Sequence, residues 1–368
     1  MSNLRIIAAA LVLILTSTAS AQISIDKLIS QAGLSEGRVP ARDIPGWRGA
    51  KKIMIARIGE DELKALQDHY PDTEFVRVSP DVGTSDIANV SDVDAIVGIC
   101  DERLVAAAKR LLWVQIFSAG AERCLSIARI ASGEIVLTNM QKMSSPVIGE
   151  HAIAMVLALA RGLPVYAKGM KQGAWMRGTE FTSAMVSVTG KTMLVIGLGG
   201  IGTEVARRGA ALGMRVIGIR NSSRDGPPFV DYVGLSGELA DLAGDADVIV
   251  NALPLTDATR GLLDVDFFAA AKQGSLFVNV GRGGTVDTEA LTGAIRTGQI
   301  AGAGLDVTDP EPLPADHALW QFDNVIITPH VAGRGGERER HVLLRKENLR
   351  RFAAGERLLN VVDPERGY

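Results

Sequence analysis

Residues 192–219 constrain the fold of this chain more than any other stretch. Residues 193–196 read as a buried strand that runs directly into Gly197-Leu198-Gly199-Gly200-Ile201-Gly202, and residues 203–212 read as a helix. Each glycine in this order has a physical task. Gly197 permits the tight turn, Gly199 lets the backbone approach a pyrophosphate, and Gly202 lets the helix sit close on the strand. Gly200 and Ile201 count with them as cofactor contacts, ahead of a helix whose unpaired N–H groups and positive dipole end suit phosphate oxygens. Such a glycine set alone is a weak signal. Between a strand and a helix, with a new strand at residues 216–219, it predicts a dinucleotide site.

The residue ending that second strand selects between NAD and NADP. An acidic side chain there would bond the ribose hydroxyls and repel a 2′-phosphate. This chain has Arg220, followed by Asn221, Ser222, Ser223 and Arg224, a phosphate-receiving set of guanidinium and hydroxyl groups. NADP is therefore the expected cofactor and NAD the alternative, since a slip of one residue would bring Asp225 to the ribose. Leu253, Pro254, Val280, Asp306 and Gly333 are the further expected cofactor contacts.

Short β-branched runs alternate with helical segments on both sides of this motif. Strands are expected at 53–58, 75–78, 95–99, 113–117 and 135–137, and again at 193–196, 216–219, 248–250, 276–280, 304–307 and 325–327. Residues 148–163 read as an apolar packing helix, too short and too interrupted by Glu150, His151 and Arg161 to span a membrane. The 368 residues exceed the usual size of one core. The pattern predicts an α/β protein of two doubly wound, parallel-sheet, Rossmann-like domains with a ligand cleft between them.

The formal net charge is −3 with no long basic run, so no nucleic-acid partner is expected. Cys100 and Cys124 are too few for a four-ligand thiolate metal site, and no metal is expected. They read as two buried small hydrophobes, with one bridge between them left open. At the N-terminus Arg5 precedes an apolar run at residues 6–15 and the small-x-small triplet Ala19, Ser20, Ala21. Residues 1–21 read as a cleavable export signal, which gives an exported or periplasmic protein without stable membrane insertion after processing; uncleaved, the protein would be cytoplasmic. Residues 22–50 read as an amphipathic piece and a Pro/Gly-punctuated linker.

Three side chains emerge beyond neighbouring strands at one sheet edge: Arg282 in a glycine turn, Glu311, and His330 after Thr328-Pro329. Together they suit hydride transfer at a carbon that bears oxygen. A histidine takes or returns the hydroxyl proton, a carboxylate on its other nitrogen fixes its tautomer, and an arginine binds the substrate carboxylate and polarises the carbonyl. His69, His151, His317 and His341 follow no strand in this way and read as surface or capping residues.

The glycine loop, Asn279-Val280-Gly281-Arg282-Gly283, Leu305-Asp306-Val307 with Glu311-Pro312-Leu313, and Thr328-Pro329-His330 together resemble the D-isomer-specific 2-hydroxyacid dehydrogenase family. Residues 113–120, 147–152 and 348–355 carry the resemblance further, over roughly 51–363, and within the family it is nearest the NADP-type glyoxylate/hydroxypyruvate reductases. The resemblance implies a substrate (catalytic) domain formed by residues 51–145 plus 329–368 around a cofactor domain at 146–328. It implies that His330 is the acid/base, Glu311 its orienting partner and Arg282 the substrate arginine. It places Asp306 near the nicotinamide amide, and backbone N–H groups at Gly98, Ile99, Ala119 and Gly120 on the substrate carboxylate. It also implies a homodimer through an arm at 161–175, and a small 2-keto/2-hydroxy acid as the partner molecule. The alternatives are a phosphoglycerate-type dehydrogenase, for which Arg57, Arg103 or Arg334 would add charge to the cleft, and a non-catalytic NAD(P)-sensing, corepressor-like protein.

Overall fold

The structure is a computed structural model that describes residues 23–177, 185–221, 223–336 and 338–368. The export signal expected at 1–21 lies outside these residues. The described chain opens with a helix, Ile25–Ala32, capped by the Ser24 hydroxyl and closed by Gly33 in a left-handed conformation, followed by strand β1 (Glu36–Pro40).

Five parallel strands then build the first sheet: β2 (Lys52–Ala56), β3 (Glu74–Val78), β4 (Ala95–Val97), β5 (Trp113–Gln115) and β6 (Val136–Thr138), in the order β3-β2-β4-β5-β6. All five were expected from the alternation of apolar runs. The second sheet has seven parallel strands, β7 (Thr192–Ile196), β8 (Arg215–Arg220), β9 (Tyr232–Leu235), β10 (Val248–Asn251), β11 (Ser275–Asn279), β12 (Ile300–Leu305) and β13 (Val325–Ile327). Their order is β13-β12-β11-β10-β7-β8-β9, a doubly wound sheet whose direction of growth reverses between β7 and β10. Six of these were expected. The seventh, β9, is a short edge strand with only Val233 and Gly234 buried, so its apolar signal is weak.

Between the sheets, the helix Ser145–Ala160 carries Pro146 in its first turn and lies on the second sheet. Close approach depends on missing side chains: a Cβ on Gly304 would meet Met155 at 2.9 Å, and one on Gly149 would meet Glu204 at 2.9 Å. The chain bends by 73° at Gly162 into a second helix, Leu163–Lys171. Among the described residues no single helix is long and apolar enough to cross a membrane.

The C-terminal helix Arg338–Ala354 returns to the first sheet, where Phe352 packs on Trp113 with ring centroids 5.1 Å apart. Strand β14 (Arg357–Leu359) then pairs antiparallel with β1. Residues 23–50, read from sequence as an extension and linker, are thus part of the packed body. Leu28 is buried with Met140, Met143, Leu344 and Leu359. Trp47 Nε1 donates to the Phe352 carbonyl at 3.2 Å and Arg42 Nε to the Gly355 carbonyl at 2.9 Å.

Cys100 and Cys124 are bonded, with Cα atoms 5.9 Å apart, which corrects their reading as separate buried hydrophobes. Closing a loop of 24 residues constrains the unfolded chain and stabilises the fold by about 3 kcal/mol.

Candidate active site

The glycine loop sits at the switch point of the seven-stranded sheet. Gly197 has φ +95°, which a side chain disfavours. A Cβ on Gly202 would overlap the Gly197 carbonyl oxygen, so the helix Gly200–Ala211 rests on β7 only because that atom is missing. Nothing lies within 4 Å of the place a Cβ on Gly199 would take, which leaves the helix N-terminus open to a pyrophosphate. Gly200 is crowded instead, with Ser145 Oγ at 2.7 Å and Lys142 Cγ at 2.9 Å from its missing Cβ, and Ile201 is half-buried beside it. Leu253 stands between this loop and the next, 3.2 Å from the missing Cβ of Gly197, with its carbonyl 2.7 Å from that of Gly281. Pro254 follows it half-buried, and Val280 is buried.

Arg220 ends β8 and donates from Nη2 to the Leu198 carbonyl at 3.2 Å, which lays its guanidinium against the glycine loop. Its Nε is buried without a hydrogen-bond partner. Leaving such a donor unsatisfied costs about 1–3 kcal/mol, so the site fits an anionic ligand such as a 2′-phosphate. Arg224 does not join it. Its guanidinium donates to the Tyr232 hydroxyl at 2.7 Å and pairs with Glu238 at 2.7 Å. The Leu235 N–H, the Tyr232 hydroxyl and Arg224 hold the Glu238 carboxyl down to about 2. Asn221 and Asp225 are exposed and Ser223 half-buried, while Ser222 lies outside the described residues.

Strands β11, β12 and β13 are neighbours and end level, with Asn279 opposite Leu305 and Leu305 opposite Ile327. The loops bearing Arg282, Glu311 and His330 therefore leave the sheet side by side. A Cβ on Gly283 would overlap the Thr308 carbonyl, so the first two loops touch. His330 Nδ1 and Glu311 Oε1 are 2.7 Å apart, and both side chains are close to half-exposed. His330 has φ +52°, a conformation that costs a side-chain-bearing residue about 1–3 kcal/mol. Its N–H donates to the carbonyls of Asp306 at 2.8 Å and Thr328 at 2.9 Å. The buried Asp306 carboxylate holds the rest of that loop. Its Oδ1 accepts from the Thr328 hydroxyl at 2.6 Å and the Val331 N–H at 2.9 Å, and its Oδ2 from the Ala332 N–H at 3.0 Å. Gly333 follows, against Ser144.

Arg282 reaches the first sheet. Its Nε donates to Glu122 Oε1 at 2.9 Å, its Nη1 donates to the Gly281 carbonyl at 2.8 Å, and its Nη2 fills the space that a Cβ on Gly120 would need. Gly98 has φ +93°, and a Cβ there would meet the Phe117 ring at 2.6 Å. Its N–H is already spent on the Gln115 carbonyl at 2.6 Å, so Gly98 shapes the turn and is not a carboxylate donor as expected. Among the described residues the N–H groups of Ile99, Ala119 and Gly120 make no hydrogen bond within the chain and are open to a carboxylate. The Cys100–Cys124 bridge ties these two loops together. Arg103 is held by Asp101 and the Val82 carbonyl, while Arg57 and Arg334 are exposed.

Three residues at the site do not stand out in the sequence. Glu122 follows no motif, yet it fixes Arg282 from the opposite sheet. Lys142, beside Gly200, donates to the Gly33 carbonyl, and burial pushes its ammonium below the usual range. His151, read as a surface residue, lies with its Nε2 3.0 Å from the Thr328 hydroxyl and 3.7 Å from Asp306 Oδ1. Of the other three, His317 and His69 follow the sequence reading, and half-buried His341 does not. His317 caps a short helix at Leu319, His69 ends the helix Glu60–His69, and His341 meets the Ser144 hydroxyl at 3.2 Å.

Residues 153–332 match the family model described as the D-isomer specific 2-hydroxyacid dehydrogenase, NAD binding domain. The chain is 32% identical to the glyoxylate reductase of Aeropyrum pernix over 324 residues, which is 85% of this chain and 96% of that enzyme. It is 30% identical to the hydroxypyruvate reductase of Thermotoga maritima over 292 residues, 77% of this chain and 89% of the other. The crystal structure of the D-isomer specific 2-hydroxyacid dehydrogenase from Xanthobacter autotrophicus Py2, in complex with NADPH and MES, superposes with a TM-score of 0.73 at 28% identity, covering 87% of this chain and all of that one. A glycine loop at the sheet's switch point, a paired histidine and glutamate on neighbouring loops, and this extent of shared sequence carry one conclusion: the chain belongs to the D-isomer specific 2-hydroxyacid dehydrogenases.

Proposed function

We propose that this protein reduces a small 2-keto acid of the glyoxylate or hydroxypyruvate kind to the 2-hydroxy acid, with NADPH as the hydride donor. The observation that carries this reading is the 2.7 Å pair of His330 and Glu311, set level with Arg282 at the edge of a dinucleotide-binding sheet. Bound NADPH supplies the hydride. The residues do the rest. Glu311 as a carboxylate can only accept, so His330 Nδ1 carries a proton and Nε2 is the nitrogen left for the substrate. In reduction the ring begins doubly protonated, gives the Nε2 proton to the oxygen of the former carbonyl, and ends as the Nδ1–H tautomer. In oxidation the same nitrogen takes the hydroxyl proton. Glu311 stabilises the charged ring and fixes its plane. The open N–H groups of Ile99, Ala119 and Gly120 hold the substrate carboxylate, and Arg282 Nη2, lying against Gly120, adds the charge that polarises the carbonyl.

The protein is further proposed to work as a homodimer. Leu163, Met170 and Trp175 expose large apolar surface along the arm at 161–175, and Trp175 is 90% exposed. It is also proposed to be exported. The apolar run at 6–15 before Ala19, Ser20 and Ala21 has the form of a signal, and a bond such as Cys100–Cys124 persists in oxidising compartments.

Four outcomes are expected. His330→Ala lowers kcat by about 100-fold or more in an NADPH-absorbance assay over a keto-acid panel, with the KM for NADPH unchanged; wild-type-like turnover would remove the mechanism. Arg220→Ala raises the KM for NADPH about ten- to a hundred-fold, the loss of one charged hydrogen bond, and Arg224→Ala does much less. Equal effects of the two changes would contradict the division of labour seen here. Trp175→Glu yields monomers by sedimentation, and a wild-type monomer refutes the arm. N-terminal sequencing of fractionated cells finds a chain starting at Gln22, whereas an intact Met1 in the cytoplasm ends the export proposal.

A further inference from the structure

His151 sits on the helix Ser145–Ala160, outside the three loops that carry the reacting groups, with a quarter of its side chain exposed. Its Nε2 is 3.0 Å from Thr328 Oγ1. That hydroxyl has one hydrogen, and the 2.6 Å contact with Asp306 Oδ1 decides where it goes, because a carboxylate accepts and does not donate. With the hydrogen committed to Asp306, Thr328 Oγ1 can only accept from His151. Nε2 of His151 must therefore carry a proton, and the neutral ring is the Nε2–H tautomer. His330 is the opposite case, with its proton on Nδ1 facing Glu311.

The chain of donors is directional: His151 Nε2–H to Thr328 Oγ1, Thr328 Oγ–H to Asp306 Oδ1. The same carboxylate then receives the N–H groups of Val331 and Ala332, the two residues that follow His330. The N–H of His330 is itself held by the carbonyls of Asp306 and Thr328. Among the described residues the backbone N–H bonds at the left-handed turn of His330 thus end on Asp306 or Thr328, and His151 orients the Thr328 hydroxyl that bonds the Asp306 carboxylate.

We propose that His151 is a positioning residue for the acid/base histidine, acting through Thr328 and Asp306 to hold the His330 loop in its left-handed conformation. Its work is to keep the Thr328 hydroxyl aimed at Asp306. Without that donor the hydroxyl is free to turn away, the Asp306 carboxylate loses its third partner on the loop, and His330 Nε2 drifts from the substrate oxygen. Transfer between fixed atoms is sensitive to such drift, since a misplacement of about 1 Å can cost as much as a hundred-fold in rate. The pyrophosphate loop follows β7 and Arg220 ends β8, and neither takes part in the relay, so the contacts expected for the pyrophosphate and the 2′-phosphate stay in place.

The inference rests on the keto-acid reductase reading, and the test separates the two. Wild type, His151→Leu, His151→Gln and Thr328→Val are compared by kcat, by KM for keto acid and NADPH, and by thermal midpoint. In Gln the amide nitrogen is as many bonds from Cβ as Nε2 is in His, so it restores the donor. The expected result is a fall in kcat of about ten-fold for Leu, larger than any change in KM for NADPH, and recovery to within about three-fold of wild type for Gln. Thr328→Val falls similarly, and adding His151→Leu to it costs little more, because both remove one chain. Unchanged kcat in folded His151→Leu, or a Gln variant as slow as Leu, overturns the relay while leaving the reductase reading intact. Should His151→Leu fail to fold, His151→Asn, polar but one bond too short to reach, takes its place beside Thr328→Val: additive losses overturn the relay. Absence of wild-type turnover on the whole panel overturns the reductase reading instead. The relay is then read by nitrogen NMR of labelled histidine, where an Nε2–H ring at His151 supports it and an Nδ1–H ring overturns it.

Discussion

Strands that all run the same way can be joined only by crossovers that carry the chain back to a common starting end, so every strand opens its following loop at one edge. The seven-stranded sheet obeys this throughout, and its register brings Asn279, Leu305 and Ile327 level. Residues that the sequence separates by dozens of positions become neighbours without any further interaction to arrange them. Ser275–Asn279 is buried along its whole length, which leaves it no freedom to slide. Glycines at 202, 283 and 304 remove the atoms that would push apart the helix on the strand, the two active-site loops, and the helix Ser145–Ala160 on the sheet. The precision of the site is inherited from packing beneath it.

Against that fixed edge, the contact of Arg282 with Glu122 is the polar link to the other sheet. Both side chains keep about a quarter to a third of their exposure, so the pair contributes on the order of 1 kcal/mol or less. Its value is directional. With Nε bonded to Glu122 and Nη1 to the Gly281 carbonyl, the guanidinium plane is set and Nη2 is directed at Gly120. The cation reaches its working place only when the two sheets' loops approach one another, and the Cys100–Cys124 bond keeps the loops on the far side in mutual register.

The parts legible from sequence were those set by local pattern. The glycine loop, five strands of the first sheet, six of the second, and the placing of Arg282, Glu311 and His330 beyond strand ends all follow from runs of ten residues or fewer. The parts that escaped depend on a distant partner. Residues 23–50 look like a linker until Trp47 meets Phe352 and β1 meets β14. Glu122 gains its meaning from Arg282, and His151 from Thr328, 177 positions away. The resemblance alone makes Gly98 a carboxylate donor, and its backbone bond to Gln115 cannot be seen in a linear chain. Arg224 was grouped with Arg220 by proximity in sequence, and Glu238 separates them.

That separation changes how cofactor choice works. An acidic residue at the end of β8 would discriminate by repulsion, turning away a phosphate it could not pair. Here there is none, and Arg224 is already neutralised by Glu238, so discrimination rests on a single guanidinium. Arg220 has one donor spent on Leu198 and a buried Nε that nothing in the described chain satisfies. A phosphate relieves that deficit and a bare ribose hydroxyl relieves it less, because the bond to a charged acceptor is the stronger one. In the proposed function the site favours NADPH by what it gains from the phosphate, and among the described residues no group penalises NADH beyond the donor left unmatched.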